Sequence, residues 1–149
     1  MPLLEQVLEK NPDKIKIAFK HFPLKMHKAA LVAATASLYA DSQGKFHEFH
    51  NLLIQNSKSL NEEKKLDIAV EIGFQRSEVK KQIMNPVLLK KVQKDILDGQ
   101  QAGVQSIPRI FINGRLLKQR TLGGFKRRPF IKILGILCTP ACCPSRISF

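Results

Sequence analysis

Residues 106–114 read Ser-Ile-Pro-Arg-Ile-Phe-Ile-Asn-Gly, and this stretch decides the fold class. The apolar and β-branched residues after Pro108 predict a β-strand. Asn113-Gly114 is the residue pair that favours a type I′ turn, because both positions of that turn need a positive φ. Residues 115–118 are therefore predicted to return as the second strand of a hairpin.

Upstream of the hairpin, the pattern is helical from residue 27 to residue 101. An alanine-rich stretch covers residues 28–39, and Gly44 separates it from the next segment. That segment carries apolar residues at helical spacing, namely Phe46, Phe49, Leu52 and Leu53. Two helices are predicted here.

Further helices are predicted from the motifs at their starts. Asn61 and Ser77 are predicted N-caps, since their side chains can accept from a free amide of the first turn. Asn85-Pro86 opens a long helix, because proline suits the first helical position. Gly73 is predicted to end the helix that Asn61 begins. The predicted inward residues are Leu66, Ala69 and Val70 in the Asn61 helix, and Leu89, Val92, Ile96 and Leu97 in the long one.

The front of the chain supplies one more helix and one more strand. Residues 3–10 are amphipathic, with Leu4, Val7 and Leu8 on one face. Residues 14–22 alternate as in a strand, with Ile15, Ile17 and Phe19 on one side and Lys16, Ala18 and Lys20 on the other. A block of helices between one strand and a later hairpin is an α/β layout.

Composition narrows the possible partners. The net charge is +13, yet all 12 acidic residues lie before residue 125, where they are mixed with lysines. No nucleic-acid-binding motif accompanies this charge, so a solvated basic face is favoured over a specific nucleic-acid site. No apolar run approaches the roughly 18 to 20 residues of a membrane helix. The N-terminus lacks the pattern of a secretory signal peptide.

Three segments together resemble one known family. They are residues 19–27, Phe-Lys-His-Phe-Pro-Leu-Lys-Met-His; residues 43–50, Gln-Gly-Lys-Phe-His-Glu-Phe-His; and residues 99–114, which end in the hairpin turn. In this order they are similar to the DsbA-like thiol:disulfide oxidoreductases of the thioredoxin superfamily. The resemblance implies a thioredoxin-like domain over residues 1–125, with a helical insertion at about 27–102.

The resemblance implies a function in thiol–disulfide exchange. The implied substrate is extended or unfolded polypeptide, and no cofactor or metal is implied. Such proteins usually work outside the cytoplasm, although the localisation of this chain stays unknown. The family carries a central first strand followed by Cys-x-x-Cys, and this sequence has no Cys-x-x-Cys. We therefore expect a front-truncated domain with an unfilled central strand position, no catalytic residue and no oxidoreductase activity. The alternative is a non-catalytic thioredoxin-like module that binds polypeptide.

The resemblance also marks Ile107 and Pro108 as the substrate-binding residues. It implies a cis peptide between them, where the Ile107 backbone pairs with an extended substrate in the manner of strand addition. Threonine or valine is often found there in the family, and Ile107 lacks the hydroxyl that threonine would supply. The alternative from the residues alone is a trans proline at the start of an edge strand.

The three cysteines, Cys138, Cys142 and Cys143, all lie in an atypical basic tail at residues 126–149. No strand or helix start is predicted before them, and no histidine lies nearby, so they are interpreted as adventitious thiols. Arg127-Arg128-Pro129 breaks the helix expected in this region. A translated frameshift is the preferred hypothesis for the tail, with a membrane-surface or interaction segment as the alternative.

Four histidines complete the candidate groups. His47 and His50 are three residues apart on one predicted helix, but no third ligand accompanies them, so metal binding is not predicted. His21 and His27 flank the turn at Pro23 and are interpreted as packing or capping groups.

Overall fold

The computed structural model describes residues 2–10, 12–13, 15–24, 29–118 and 131–137. Within these ranges six helices form: α1 (Pro2–Lys10), α2 (Ala30–Ser42), α3 (Phe46–Gln55), α4 (Glu62–Glu71), α5 (Arg76–Ile83) and α6 (Pro86–Gln101). A 3-10 turn at Ser57–Ser59 joins α3 to α4. The described strands are β1 (Ile15–His21), β2 (Arg109–Ile112), β3 (Arg115–Leu116) and β4 (Ile131–Leu137). The chain is thus a helix-rich α/β protein with a small sheet.

The four strands form one sheet in the order β1-β4-β2-β3. β1 and β4 are parallel, and Ile15 pairs with Ile131. β4 and β2 are antiparallel, and β2 returns through β3 as the predicted hairpin. The hairpin turn has φ 49° at Asn113 and φ 77° at Gly114, the two positive values that a type I′ turn needs.

The interior position of the sheet is filled, which differs from the sequence-based expectation. β4 lies between β1 and β2, where a gap was expected, and its residues belong to the stretch assigned to an atypical tail. Each residue from Ile133 to Ile136 has a register partner on both sides, so this strand satisfies the inner edges of β1 and β2 together. The residues of β4, Ile-Lys-Ile-Leu-Gly-Ile-Leu, are mostly apolar and include three β-branched isoleucines, a composition that favours a strand.

Local motifs account for the helix boundaries. The Asn61 side chain accepts from the Lys64 amide at 2.7 Å and starts α4, as predicted. Asn85 caps α6 by accepting from the Val87 amide at 2.9 Å, with proline in the first turn. Gly73 adopts φ +89° just beyond α4, and its amide donates to the Val70 carbonyl at 2.8 Å. A side chain at that φ is strained, so glycine ends the helix there.

Two predictions about the helices are wrong. Ser77 does not cap α5, which starts at Arg76 with Gln75 at the N-cap position, two residues before the predicted cap. Of the predicted inward residues, Val70 and Leu97 are 46% and 56% exposed, whereas Ile68 and Leu88 are buried in their helices. Leu66, Ala69 and Val92 are buried as predicted, so only one residue of each predicted face is exposed.

Buried apolar side chains form one large and two small clusters. The helical cluster consists of Ala33, Ala36, Ala40, Phe49, Leu53, Leu66, Ile68, Ala69 and Val79. On one face of the sheet, Val7 of α1 covers Ile110 and Ile112. On the other face, Phe22 and Val104 pack with Phe111. The alternation along β2 thus divides its side chains between the two faces. Among the described helices, none is both long and apolar enough to cross a bilayer.

Candidate functional site

The predicted substrate-binding residues lie at one end of the sheet, in the segment that leads from α6 into β2. Ile107 and Pro108 are both half-buried, and the peptide bond between them is cis. Ile107 packs against the cluster of Phe22, Val104 and Phe111. Since β2 lies between β4 and β3, the alternative of a trans proline on an edge strand does not hold.

Hydrogen bonds between Arg109 and Ser106 close a small polar loop around Ile107 and Pro108, just before β2. The Arg109 guanidinium donates to the Ser106 carbonyl at 3.2 Å and to the Ser106 hydroxyl at 2.9 Å. On the α6 side, the Val104 amide donates to the Gly99 carbonyl at 2.9 Å. Ile107 and Pro108 therefore stand between a capped helix end and the first ladder residue of β2.

Three strand ends meet at this side of the sheet. β1 ends at His21 and β4 ends at Leu137, and these two residues are register partners. β2 begins at Arg109, whose partner is Ile136. Ile107 and Pro108 directly precede Arg109 in the chain. They therefore lie at the end of the sheet where the parallel strands β1 and β4 end.

A polar cluster ties the end of β1 to α6. The Asp95 carboxylate accepts from the His21 backbone amide at 2.9 Å and from the Lys20 ammonium at 2.9 Å. The same ammonium donates to Asp98 at 2.5 Å. Burial works to lower the pKa of Lys20, but its hydrogen bonds with Asp98 and Asp95 outweigh this and raise it above the usual value. The hydrogen bond from Lys20 lowers the pKa of Asp98.

An aromatic cluster packs behind β1. The Phe46 ring lies 5.1 Å from Phe19 and 6.3 Å from His21, measured between ring centroids, and it stacks on His50 at 5.3 Å. Burial of the His21 ring lowers its pKa to about 4, although the charges of Asp95 and Asp41 oppose the shift. Near neutral pH His21 is therefore an uncharged packing group, in line with the interpretation from the sequence.

The structure brings some of the candidate residues together and leaves others out. His21, Ile107 and Pro108 share the same end of the sheet. His50 is buried in α3 and His47 is exposed. His27, Cys138, Cys142 and Cys143 lie outside the described residues, as does Arg127-Arg128-Pro129, which is predicted to break a helix. In the part of the chain that the structure describes, no group of three or more metal-ligating side chains lies together.

Lys20, Asp95 and Asp98 were missed as a set by the sequence reasoning. Asp95 and Asp98 are one turn apart on α6, so they face the same neighbour. The sequence does carry a clue, because these acids interrupt a helix that otherwise bears Lys90, Lys91 and Lys94. Which lysine they bind depends on how α6 packs on β1, and no spacing along the chain encodes that.

Comparison with known proteins places the chain in a family. A family model described as thioredoxin matches residues 2–127. The Na(+)/H(+) antiporter NhaA of Herminiimonas arsenicoxydans is 24% identical over 106 residues, which are 71% of this chain and 17% of that protein. The Na(+)/H(+) antiporter NhaA 1 of Salinispora arenicola (strain CNS-205) is 28% identical over 102 residues, 68% of this chain and 16% of that protein.

No solved structure matches the chain. The chain spans about a sixth of the length of these curated relatives. The thioredoxin match, by contrast, runs over most of the chain, from α1 through the hairpin at the candidate site. The protein therefore belongs to the thioredoxin family.

Proposed function

We propose that the protein is a domain of the thiol–disulfide exchange class that docks extended polypeptide beside Ile107 and Pro108. The observation that carries the proposal is the position of these two residues, half-buried at the sheet end between α6 and β2. A polypeptide laid along the Ile107 backbone would gain main-chain hydrogen bonds in the manner of strand addition. The Ile107 side chain offers that polypeptide an apolar contact.

The finer assignment within the family is the DsbA-like branch. It is supported by the resemblance of residues 19–27, 43–50 and 99–114, and by the run of five helices, α2 to α6, between β1 and β2. We interpret that run as the helical insertion of this branch. Because the chain covers only 17% and 16% of the two antiporters, their transport activity is not proposed for it.

Catalytic turnover is not expected from the chain as printed. Its sequence contains no Cys-x-x-Cys, the pair that attacks a substrate disulfide and then resolves the mixed disulfide. We expect insulin reduction in the presence of dithiothreitol to proceed at the rate of dithiothreitol alone. A rate equal to that of an active thioredoxin would contradict this expectation and would show that the chain is catalytically active.

Polypeptide binding is tested directly at Ile107. The probe is a reduced, carboxymethylated polypeptide with a fluorescent label, and its anisotropy is followed as protein is added. Ile107→Asp places a charge beside the docked chain, and we expect at least a tenfold weaker affinity, or about 1.4 kcal/mol. Leu116→Asp is the matched control, since Leu116 is an exposed residue of the edge strand β3.

A second variant separates docking from stability, because Ile107 also packs against the Phe22 cluster. Ile107→Thr keeps the β-branched shape and adds a hydroxyl. We expect it to bind the probe at least as well as the original chain. Equal affinity of the original chain, Ile107→Asp and Leu116→Asp, all folded, would show that polypeptide does not dock here.

The second candidate, a non-catalytic binding module, is favoured by the absence of Cys-x-x-Cys from the printed sequence. The two candidates predict the same docking site, and insulin turnover, which is not expected of this chain, is the result that would separate them. Probe binding without insulin turnover supports the binding module. Turnover that depends on a cysteine of this chain supports thiol–disulfide exchange.

A further inference from the structure

Helix α6 carries apolar and basic side chains together on the side that faces away from the core. Its inner side is buried at Leu88, Val92 and Gly99. Residues three or four positions apart lie next to each other on a helix, which groups five exposed residues on the solvent side. We call this group the outer face of α6, and it consists of Val87, Lys90, Lys91, Lys94 and Leu97.

The apolar members of the outer face are open to solvent. Val87 is 60% exposed and Leu97 is 56% exposed, and Met84, at the turn before the helix, is 73% exposed. At the rise of an α-helix, Val87 and Leu97 lie about 15 Å apart along the axis. Single exposed apolar residues are ordinary on a protein surface, whereas several that lie along one stretch of it indicate an interaction site.

The lysines of the outer face are not neutralised by the acidic residues of their own helix. Those residues, Asp95 and Asp98, both bind the Lys20 ammonium on β1. In the part of the chain that the structure describes, no carboxylate lies within ion-pair distance of Lys90 or Lys91. The outer face therefore presents positive charge between its apolar residues.

Helix α4 presents the opposite charge, so the net charge of +13 is not spread evenly over the helices. The exposed residues of α4 include one large apolar side chain, Val70, and four acids, Glu62, Glu63, Asp67 and Glu71. Apolar exposure is thus combined with positive charge on α6 and with negative charge on α4. Only the combination on α6 matches a partner that is both apolar and anionic.

We propose that the outer face of α6 docks on a lipid surface that carries anionic headgroups. A helix lying in the plane of such a surface places its apolar residues at the boundary of headgroups and acyl chains, and its basic residues among the headgroups. Lysine suits this position, because its apolar stem lies beside the apolar residues while its ammonium stays in the polar layer. The negative potential of the surface adds attraction for each lysine near it.

The mixture of side chains favours lipid over nucleic acid. Nucleic-acid affinity comes chiefly from contacts between basic side chains and phosphates. Such contacts would use Lys90 and Lys94 but leave Val87 and Leu97 in water, whereas a lipid surface engages both kinds of side chain. The proposed docking does not involve Ile107, so it and polypeptide binding are independent and each can fail alone.

The first experiment measures binding of the full chain to lipid vesicles by sedimentation. One set of vesicles is phosphatidylcholine alone, and the other contains equal parts of phosphatidylcholine and phosphatidylglycerol. We expect binding to the anionic vesicles to be at least about tenfold tighter, and to weaken as added salt screens the headgroups. No binding to the anionic vesicles, or equal binding to both sets, would overturn the proposal.

The apolar contact is tested by Leu97→Gln, which leaves the net charge unchanged. We expect its affinity for anionic vesicles to fall about tenfold, because a side chain that leaves water on docking is replaced by a polar one. Val70→Gln is the matched control, since Val70 is 46% exposed on the acidic helix α4, and it should bind as the original chain does. Thermal melts verify that both variants fold. Equal affinity of Leu97→Gln and the original chain would show that the outer face does not enter the lipid surface.

The charge contribution is tested by two double variants of equal net charge. Lys90→Gln with Lys94→Gln changes the outer face, whereas Lys16→Gln with Lys118→Gln changes exposed lysines on β1 and after β3. We expect the first to weaken vesicle binding by about tenfold or more and the second by much less. Equal weakening by both would mean that net charge alone attracts lipid, and would overturn the proposal. A labelled DNA duplex that binds more tightly than anionic vesicles, with an affinity unchanged by Leu97→Gln, would assign the outer face to nucleic acid instead.

Discussion

The Asp95 carboxylate is the residue that most directly couples a helix to the candidate site. Its two oxygens accept from the His21 amide and from the Lys20 ammonium, so it joins the middle of α6 to the last two residues of β1. Removing it leaves a part-buried backbone amide without this acceptor. Such an amide costs more to leave unpaired than an exposed ion pair costs to lose.

We therefore expect Asp95→Ala to lower the free energy of unfolding by roughly 2 kcal/mol, the range for hydrogen bonds to a charged group. Urea denaturation measures this change. Asp98→Ala is the control, since Asp98 also pairs with the Lys20 ammonium and its side chain is more exposed than that of Asp95. A loss from Asp98→Ala as large as that from Asp95→Ala would show that the His21 amide contributes nothing.

His21 gives the protein a pH dependence of known sign. Its folded-state pKa of about 4 lies below the ordinary value of 6.5. Between these values the unfolded chain binds more protons at this site than the folded chain. The stability that His21 contributes is thus fully present above about pH 6.5 and is lost as the pH falls toward 4.

From this shift we expect unfolding at about pH 5 to require roughly 2 kcal/mol less than at about pH 7.5. His21→Gln should remove most of this difference, because its side chain does not titrate. His47→Gln should retain it, since His47 is exposed on α3. An unchanged pH dependence in His21→Gln would mean that another group causes it.

At the level of single elements, β4 is the strand on which the sheet depends. It pairs with β1 along seven residues and with β2 along four, so no other described strand has two partners of comparable length. Proline removes a ladder donor and is excluded from interior strands. A proline in β4 therefore acts on two ladders together.

Ile133 pairs with Ile17 on one side and with Ile112 on the other. We expect Ile133→Pro to destabilise the fold by at least about 3 kcal/mol, enough to abolish the cooperative transition of a marginal domain. Ile133→Val keeps the strand preference and should melt close to the original chain. Thermal melts followed by circular dichroism compare the stability of the two variants. Indistinguishable melting curves would show that residue 133 does not lie in an interior strand of the sheet.

The helix caps are a second element-level prediction. Asn61→Ala deletes the acceptor for the Lys64 amide, and we expect a loss of about 1 kcal/mol in the free energy of unfolding. Asn61→Asp keeps an acceptor at the same place and should recover the loss, which denaturant melts can measure. If alanine were harmless, the start of α4 would be stabilised by tertiary packing alone.

Sequence reasoning found the elements that local chemistry defines. The Asn61 cap, the Asn113-Gly114 turn and the alternation of residues 15–21 each reflect contacts within a few residues. It failed at Leu97 and Val70, where the buried stripe depends on which neighbour a helix meets. It failed most at β4, because a strand that pairs with residues far away leaves little local trace beyond an apolar run. The partners of Asp95 were missed for the same reason.

For the molecule as a whole, the helical cluster and the sheet clusters are separate groups of buried residues. Contacts such as the Asp95 bridge and the Phe46 rings against β1 join them. If these contacts couple the helical part strongly to the sheet, the two parts unfold in one cooperative transition. Tyr39, the single tyrosine, packs against Phe74 at 5.1 Å between ring centroids and reports on the helical part.

We expect urea transitions followed by Tyr39 fluorescence and by amide hydrogen exchange in β2 to give the same free energy of unfolding. Far-ultraviolet circular dichroism provides the reference curve for total secondary structure. A lower free energy for the β2 amides would show that the sheet opens before the helical part and that the links between them are weak.

The order of the strands also bears on how the chain folds while it is being made. β1 leaves the ribosome before α2, whereas its partner β4 is translated after the last described helix, α6, and the hairpin. Until then the inner edges of β1 and β2 have no partner, and such edges are open to pairing with other chains. The helices can settle as they emerge, but the sheet closes only after translation has passed Leu137. A nascent chain stalled before that point is the form most exposed to aggregation and to chaperones.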